Sequence, residues 1–491
     1  MKKIAISTIV ALGCLSTLSA DTAKPKMTLK PDMVRVYNVT PGKVDNIVDV
    51  FKEGMFYGHL RANWFRWDWD NDDDNYDNKA FGLGGDIVYK TASLYGFSAG
   101  AGMYYSKSPF SGLRVSDDKV GKVKSGKDTF SRADVQDNGN WHMATLAQAY
   151  LQYDISKTTL KYGRQLFESM LVASNDTKMQ PNAFEGFSLV SKDIPDTTIK
   201  AAYFYAQKLR DHTKFHDVIA SGDSSDKDYR GNDDNGAHQG LSYAKLKAKG
   251  KDTENKLVVI EATNTSVPNL KIDLSYNAVP HLVSNIIGEL NYGIDLGGGF
   301  KLTPGVRYFH QFDNGAGEVG GAALTGKAAN GGYKDPTSLK SDAYMGRLVL
   351  SQNAWSFLLG YSKIADKADL VAPWRGFPTG GYTRGMAQMN WSANTKSYMA
   401  QANYDFGKAK ILDGFKVLGR FIVQDFDEKK QVSGVAADSK VIHIDLVQQI
   451  TPELDARFRF GSVRADKLKY GAKAGDDNSY NEYRLELNYF F

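Results

Sequence analysis

Arg61, Arg307, Arg347, Arg420, Arg457, Arg459 and Arg484 stand on the polar side of runs in which apolar residues take every second place. A guanidinium keeps its charge at any physiological pH and offers several donors to a carboxylate, so arginines sharing one space act on passing anions through field and hydrogen bonding. Taken singly, each can equally be a wall charge paired with a nearby Asp or Glu. Together they set a field. Covalent chemistry finds no matching pattern: there is no Gly-x-Ser-x-Gly elbow, P-loop or zinc-protease helix motif, and no Ser and His motif of the kind a barrel phospholipase needs. The reading is non-enzymatic, with no cofactor.

Two other clusters could hold a metal. Asp68, Asp70, Asp72, Asp73, Asp74 and Asp77 have the alternating acidic spacing of a calcium loop, but Asp73 and Lys79 stand where an EF-hand needs Gly and Glu. A solvated acidic loop is the simpler reading. His212 and His216 are four apart and could hold a metal only if that stretch is helical, and no third ligand accompanies them. No metal site is assigned.

The elements that carry the arginines are short and alternating. In Ser479 to Phe491, Tyr483, Leu485, Leu487, Tyr489 and Phe491 interleave with Glu482, Arg484, Glu486 and Asn488. Phe56, Leu60, Ala62 and Trp64 interleave with Tyr57, His59, Arg61 and Asn63, and similar runs recur near residues 81–90, 97–105, 147–154, 300–311, 355–361, 397–405 and 454–460. Period two means strands with one apolar face. The polar face carries whole charges, which a packed sandwich interior does not tolerate and a water-filled lumen does. About 18 such runs of roughly 10 residues can be marked, the length a tilted strand needs to cross a bilayer.

Composition agrees. The 491 residues hold 61 Lys+Arg against 56 Asp+Glu, a net charge of +5 that is too mild and mixed for a dedicated nucleic-acid binder. The 27 Tyr, 25 Phe and 7 Trp suit a β-rich chain with two interfaces to decorate. Met1, Lys2 and Lys3, the apolar stretch from Ile4 to Gly13 and the small residues Leu18-Ser19-Ala20 form a secretory signal, residues 1–20. Its removal takes away Cys14, the single cysteine; a weak lipoprotein box around Cys14 is the alternative. Beyond it no stretch approaches the roughly 18 apolar residues of a spanning helix, a test blind to barrels.

Short connections at Asp154 to Lys157, Val267 to Asn269 and Ile450 to Glu453 read as periplasmic turns. Ser106 to Ala144, Lys208 to Asn255, Gln311 to Ser341 and Lys363 to Trp391 read as long outer loops. Residues 21–53 lie outside the pattern; Thr40-Pro41 before Val44, Ile47, Val48 and Phe51 predicts a short amphipathic helix capped by Thr40. That segment is too small for the plug domain of a TonB-dependent transporter.

Tyr162-Gly163-Arg164-Gln165, followed by Asn175 to Gly186, resembles the OprD-like porin family, in which a strand ending Gly-Arg-Gln feeds an inward-folding loop; Lys178 stands where members often carry Arg. Pro373-Trp374-Arg375-Gly376-Phe377-Pro378, within Asp369 to Gly385, sits where that family narrows its pore a second time. The resemblance implies an 18-stranded barrel, a ladder of wall arginines that would include Arg164, and a preference for small carboxylate-bearing or otherwise charged nutrients. It also suggests Asn175, Asp176, Lys178 and Glu185 in the first loop, with Trp374, Arg375 and Phe377 in the second, as constriction residues; the plain alternative is that both loops are exterior.

The expected fold is therefore all-β: a transmembrane antiparallel β-barrel over residues 54–491 with inward-folded loops, in the bacterial outer membrane. The expected function is a porin, a passive diffusion channel for ions and small hydrophilic solutes; the alternative is a barrel whose outer loops bind a host or partner surface. Partners would be outer-membrane lipid, lipopolysaccharide and the solutes, with no nucleic acid. A homotrimer is the common porin assembly, although a single sequence displays no interface.

Overall fold

The computed structural model describes residues 25–30, 33–70, 77–122, 129–175, 178–222, 236–386 and 389–491. The expected signal segment with Cys14, and Asp72, Asp73, Asp74 and Asp176, lie outside these residues.

Each alternating run becomes a strand because period two presents one greasy and one polar face, and only neighbouring strands can satisfy the backbone between them. In chain order the strands are β1 (Met55–Trp69), β2 (Asn78–Lys90), β3 (Phe97–Lys107), β4 (His142–Ile155), β5 (Thr158–Gln165), β6 (Ala183–Ser191), β7 (Thr197–Lys208), β8 (Leu257–Asn264) and β9 (Leu270–Val279). They continue as β10 (Val283–Tyr292), β11 (Phe300–Asp313), β12 (Ser341–Gln352), β13 (Trp355–Ile364), β14 (Lys396–Asp405), β15 (Phe415–Asp425), β16 (Ser439–Gln449), β17 (Leu454–Ala465) and β18 (Tyr480–Phe490). Each pairs antiparallel with the next, and β18 returns to β1 with Leu485 opposite Trp64 and Tyr489 opposite Leu60. Among the described residues these 18 strands close one barrel.

The last residue clamps the seam. Phe491 and Gly58 exchange backbone hydrogen bonds of 2.9 and 3.0 Å. The Phe491 ring fills the place a Cβ at position 58 would need, with 1.9 Å between them, so a side chain there would have to displace that ring.

Burial is inverted relative to a water-soluble domain. On β1, His59 and Asn63 are fully buried and Arg61 is 4% exposed, while Leu60 and Phe56 are 55% and 61% exposed. Leu151, Leu274, Leu290, Val306, Leu348 and Leu359 are exposed in the same way around the ring. That outward apolar band is what a bilayer covers. Among the described residues no helix is long and apolar enough to cross a membrane.

One end of the barrel has tight turns. Ser156 and Asn353 take positive φ, 52° and 32°, in the two-residue links between β4 and β5 and between β12 and β13, the backbone a narrow hairpin needs. Segments 108–141, 209–256, 314–340 and 365–395 connect strands at the other end. Apolar side chains of the last three, among them Val218, Leu241, Leu324, Leu370 and Trp391, are buried in one cluster with inward residues of β6 to β12 such as Phe204, Val259, Ile287, Phe309 and Met345, while Val115, Val120, Phe130 and Trp141 of the first form a separate cluster with Phe65 and Ala80. The continuous charged inner face expected from sequence is therefore interrupted where loops fill the barrel.

The N-terminal helix, α1, spans Ile47–Lys52 and is capped by Asn46, whose Oδ1 accepts from Val48 N and Asp49 N at 3.1 and 3.0 Å. Thr40 is not its cap, because Lys43 and Val44 between them are committed to pairing with Ser93 and Leu94. Before it, Met27–Leu29 and Arg35–Tyr37 form a small antiparallel hairpin.

Candidate functional site: the lumen and its constriction

Two segments fold inward and cross. The link from β5 to β6, residues 166–182, meets the 365–395 segment at an isolated bridge between Val172 and Arg375. Ala173 N donates to Trp374 O at 2.9 Å and Gly376 N to Leu171 O at 3.1 Å. A Cβ at Gly376 would stand 2.0 Å from the Leu171 carbonyl carbon, so this crossing needs glycine. Arg375 holds a left-handed backbone, φ 64°, beside it.

Wall charges hold the crossing in place. Arg307 pairs with Glu289 at 2.5 Å and donates to Pro378 O and Gly380 O at 2.9 and 3.1 Å. Arg347 bonds Glu289 at 3.0 Å, Asn291 at 2.6 Å and Gly381 O at 3.0 Å, and both guanidiniums lie 4.7 Å from the Tyr382 ring. From the other side Glu261 accepts from Met170 N at 2.7 Å and from Lys200 at 2.8 Å. Behind the loops, the buried Asp369 accepts from Leu324 N, Ala393 N and Tyr333 OH; burial pushes its carboxyl up despite these donors. His238 accepts from Gly240 N at Nδ1 and donates from Nε2 to Gly321 O at 2.8 Å, and burial pushes it down to about 4, so this ring is neutral.

The loops pack against one side of the barrel and leave an open cavity of about 1340 Å³ against the other. Eight arginines and four lysines border it, against the four carboxylates Glu168, Asp405, Asp445 and Asp455. On the strand side, Arg420 bonds Gln401 at 2.6 Å, Arg457 pairs with Asp445, and Arg459 lies 3.3 Å from Asp445 and 3.7 Å from Glu486. Arg484 pairs with Glu482. On the loop side, Arg384 lies 3.3 Å from the Phe377 ring centre, and burial, together with the neighbouring cations Arg375, Arg420, Arg210 and Arg484, pushes its guanidinium down. Arg210 reaches Asn175 at 3.3 Å.

Of the residues singled out from sequence, Arg307, Arg420, Arg457, Arg459, Arg484, Asn175, Lys178, Arg375 and Phe377 border this cavity. Arg61 is buried on the inward face of β1, and Arg347 is spent on Glu289 and Asn291. Three placements differ from expectation. Arg164 shares its side of β5 with the exposed Leu160 and Tyr162, so it faces out of the barrel, pairing with Glu185 at 3.1 Å. Glu185 belongs to β6 and not to the loop; both were assigned from a motif, and strand parity overrides it. Trp374 is fully buried and donates to Val218 O at 2.8 Å, so it anchors the loop and does not line the opening.

Arg210, Arg384 and Tyr382 were missed. They lie in irregular segments where period two carries no information, and only their place beside named loop residues hints at them. His212 and His216 sit on an irregular segment with Nδ1 and Nε2 2.8 Å apart, and burial pushes His216 well down. Among the described residues no group of three His, Cys, Asp or Glu is gathered for a metal.

A family model described as outer membrane porin, OprD family, matches residues 117–491. Solved structures share the fold. OccAB3 of Acinetobacter baumannii superposes with a TM-score of 0.68 at 15% identity, covering 90% of this chain and 99% of that one. OpdK of Pseudomonas aeruginosa with vanillate gives 0.66 at 15% identity, and OccK9 (OpdG) of the same organism 0.65 at 16%, each with coverage of 90% and 99%. No curated protein matches.

Proposed function

The chain belongs to the OprD family of outer membrane porins, and from that premise we propose that its channel prefers anions and takes small carboxylates as its solutes. Passage through such a barrel is passive: a wet path, a neck that excludes bulk, and fixed charges that bias entry. The observation that carries the anion preference is the imbalance around the cavity, twelve cationic side chains (eight Arg, four Lys) against four carboxylates, in a chain whose overall excess is only +5.

The imbalance is concentrated at the neck. Arg384 and Arg375 come from one inward loop, Arg210 from another, and Arg420 and Arg484 from the facing wall, so an anion leaving bulk water exchanges part of its hydration for guanidinium donors. A carboxylate gains most, since its two oxygens match the guanidinium fork. Wall carboxylates such as Asp445 and Glu482 keep the strand arginines spaced and oriented without cancelling them. Phe377 beneath Arg384, with Trp391 6.1 Å beyond, adds an apolar face that suits solutes with a hydrophobic body. A relative in the fold, OpdK, was solved with vanillate, an aromatic carboxylate, which supports the same solute class here.

The outer-loop binding surface gains no support, since apolar residues of the 209–256, 314–340 and 365–395 segments that are described pack into the barrel. The test is the reversal potential of single channels in a salt gradient, with and without benzoate. Anion preference, and partial block by benzoate but not by benzyl alcohol, supports the proposal. Cation preference or equal effects of the two solutes refutes it.

A further inference from the structure

The hairpin ahead of the barrel lies inside it. Arg35 forms an ion pair with Asp86 of β2 in which the two side chains are 2% and 0% exposed, lies 3.4 Å from His59 of β1, and stacks 4.9 Å from the Tyr104 ring of β3. Tyr37 packs edge-on against Tyr57 at 4.7 Å and receives the Lys90 amino group 3.2 Å from its ring centre. Tyr57 OH donates to Val39 O at 2.8 Å. Met27 is buried with Tyr57, Val88 and Phe490, and Met33 accepts from Arg457 of β17 at 3.0 Å. The hairpin thus spans the inner wall from β17 round to β3, held by one buried ion pair together with these ring, sulfur and hydrogen-bond contacts. Its residues Leu29, Lys30, Met33 and Val34 border the same cavity as the crossed loops, toward the end where the 353–355 and 408–416 turns close it.

We propose that this hairpin is a second neck, in series with the crossed loops, and that it sets the unit conductance at the periplasmic mouth while the loop arginines set the sign of selectivity. Ion flow through two narrow sections in series is limited by the sum of their resistances. If the two are comparable, releasing the hairpin raises conductance about twofold and leaves the reversal potential nearly unchanged. The Arg35 to Asp86 pair is the latch: it lies off the strand ladder, so breaking it frees the hairpin without touching the backbone pairing that closes the barrel.

Arg35→Ala should raise single-channel conductance about twofold at unchanged reversal potential, and the charge-swapped pair Arg35→Asp with Asp86→Arg should return it toward the parent value. A second test does not depend on release: the only cysteine is Cys14, in the expected signal, so Lys30→Cys gives one reactive thiol at the proposed neck. A bulky methanethiosulfonate added from the periplasmic side should lower its conductance stepwise, and reductant should restore it. Parent-like conductance in Arg35→Ala, or no effect of the reagent on labelled Lys30→Cys, overturns the proposal. A changed reversal potential in the parent protein bears on the anion preference alone, so the two readings fail separately.

Discussion

Replacing Arg384 by Gln removes a neck cation surrounded by Arg375, Arg420, Arg210 and Arg484. An ion passing about 4 Å from a unit charge in water interacts with it by about 1 kcal/mol. At 0.1 M salt, with a Debye length of about 10 Å, roughly two thirds of that survives. An anion gains and a cation loses this amount, so the difference is about 1.4 kcal/mol, or roughly tenfold in the permeability ratio. At 1 M salt the Debye length is about 3 Å and the same charge is worth only about two- to threefold. The assay is the reversal potential of Arg384→Gln in a potassium chloride gradient at both salt levels, beside Arg164→Gln, which faces out of the barrel beneath Phe215 and should be silent. A shift toward cations that shrinks with salt is expected. An unchanged potential in Arg384→Gln, with conductance intact, would show that its charge does not act on the path, and the placement of the neck between Arg384 and the strand arginines would be wrong.

Arg307→Gln loses the donors to Pro378 O and Gly380 O as well as a charge, so it should raise open-channel noise more than any other arginine substitution; a quiet trace contradicts the anchoring role. Leu359→Arg places a charge on the lipid face near the middle of β13 and should cost about 2–4 kcal/mol of folding in vesicles, read by urea titration; a cost near zero would put that face in water. His238 is pushed down to about 4 from an ordinary 6.5. Below the ordinary value the unfolded loop binds a proton that the folded loop refuses, so its contribution is complete above about pH 6.5 and is lost toward pH 4, up to about 3 kcal/mol. Hydrogen exchange around Gly240 and Gly321, corrected for intrinsic rate, should rise on acidification in the parent and much less in His238→Gln; equal protection at both ends of that range contradicts it.

The barrel was legible because part of it advertises both faces. In β1, β14, β17 and β18 the inward residues are mostly polar or charged, so they alternate with grease and the period is plain. In β8, Leu257, Val258, Val259 and Ile260 are apolar on both sides, since Leu257 and Val259 lie under packed loops while Val258 and Ile260 face outward. There periodicity fades, and the existence of the strand rests on length and neighbours. The crossed loops were legible as segments and not as side chains: Arg375 and Phe377 border the opening, yet Trp374 just before them turns away because an indole is worth more buried. Arg164 was misplaced because a motif carries no parity, whereas Leu160 and Tyr162, four and two residues before it, do. The inward hairpin could not be read at all, since the contact between Arg35 and Asp86 joins residues with no pattern in common.

The central claim is a wet, positively lined path through a closed barrel, and single-channel recording of the purified protein in planar bilayers tests it most directly. Stable ohmic steps are expected, with a reversal potential that favours chloride over potassium and with partial block by small carboxylates. Well-folded barrels that insert without conducting, or that conduct with potassium preferred, would contradict it.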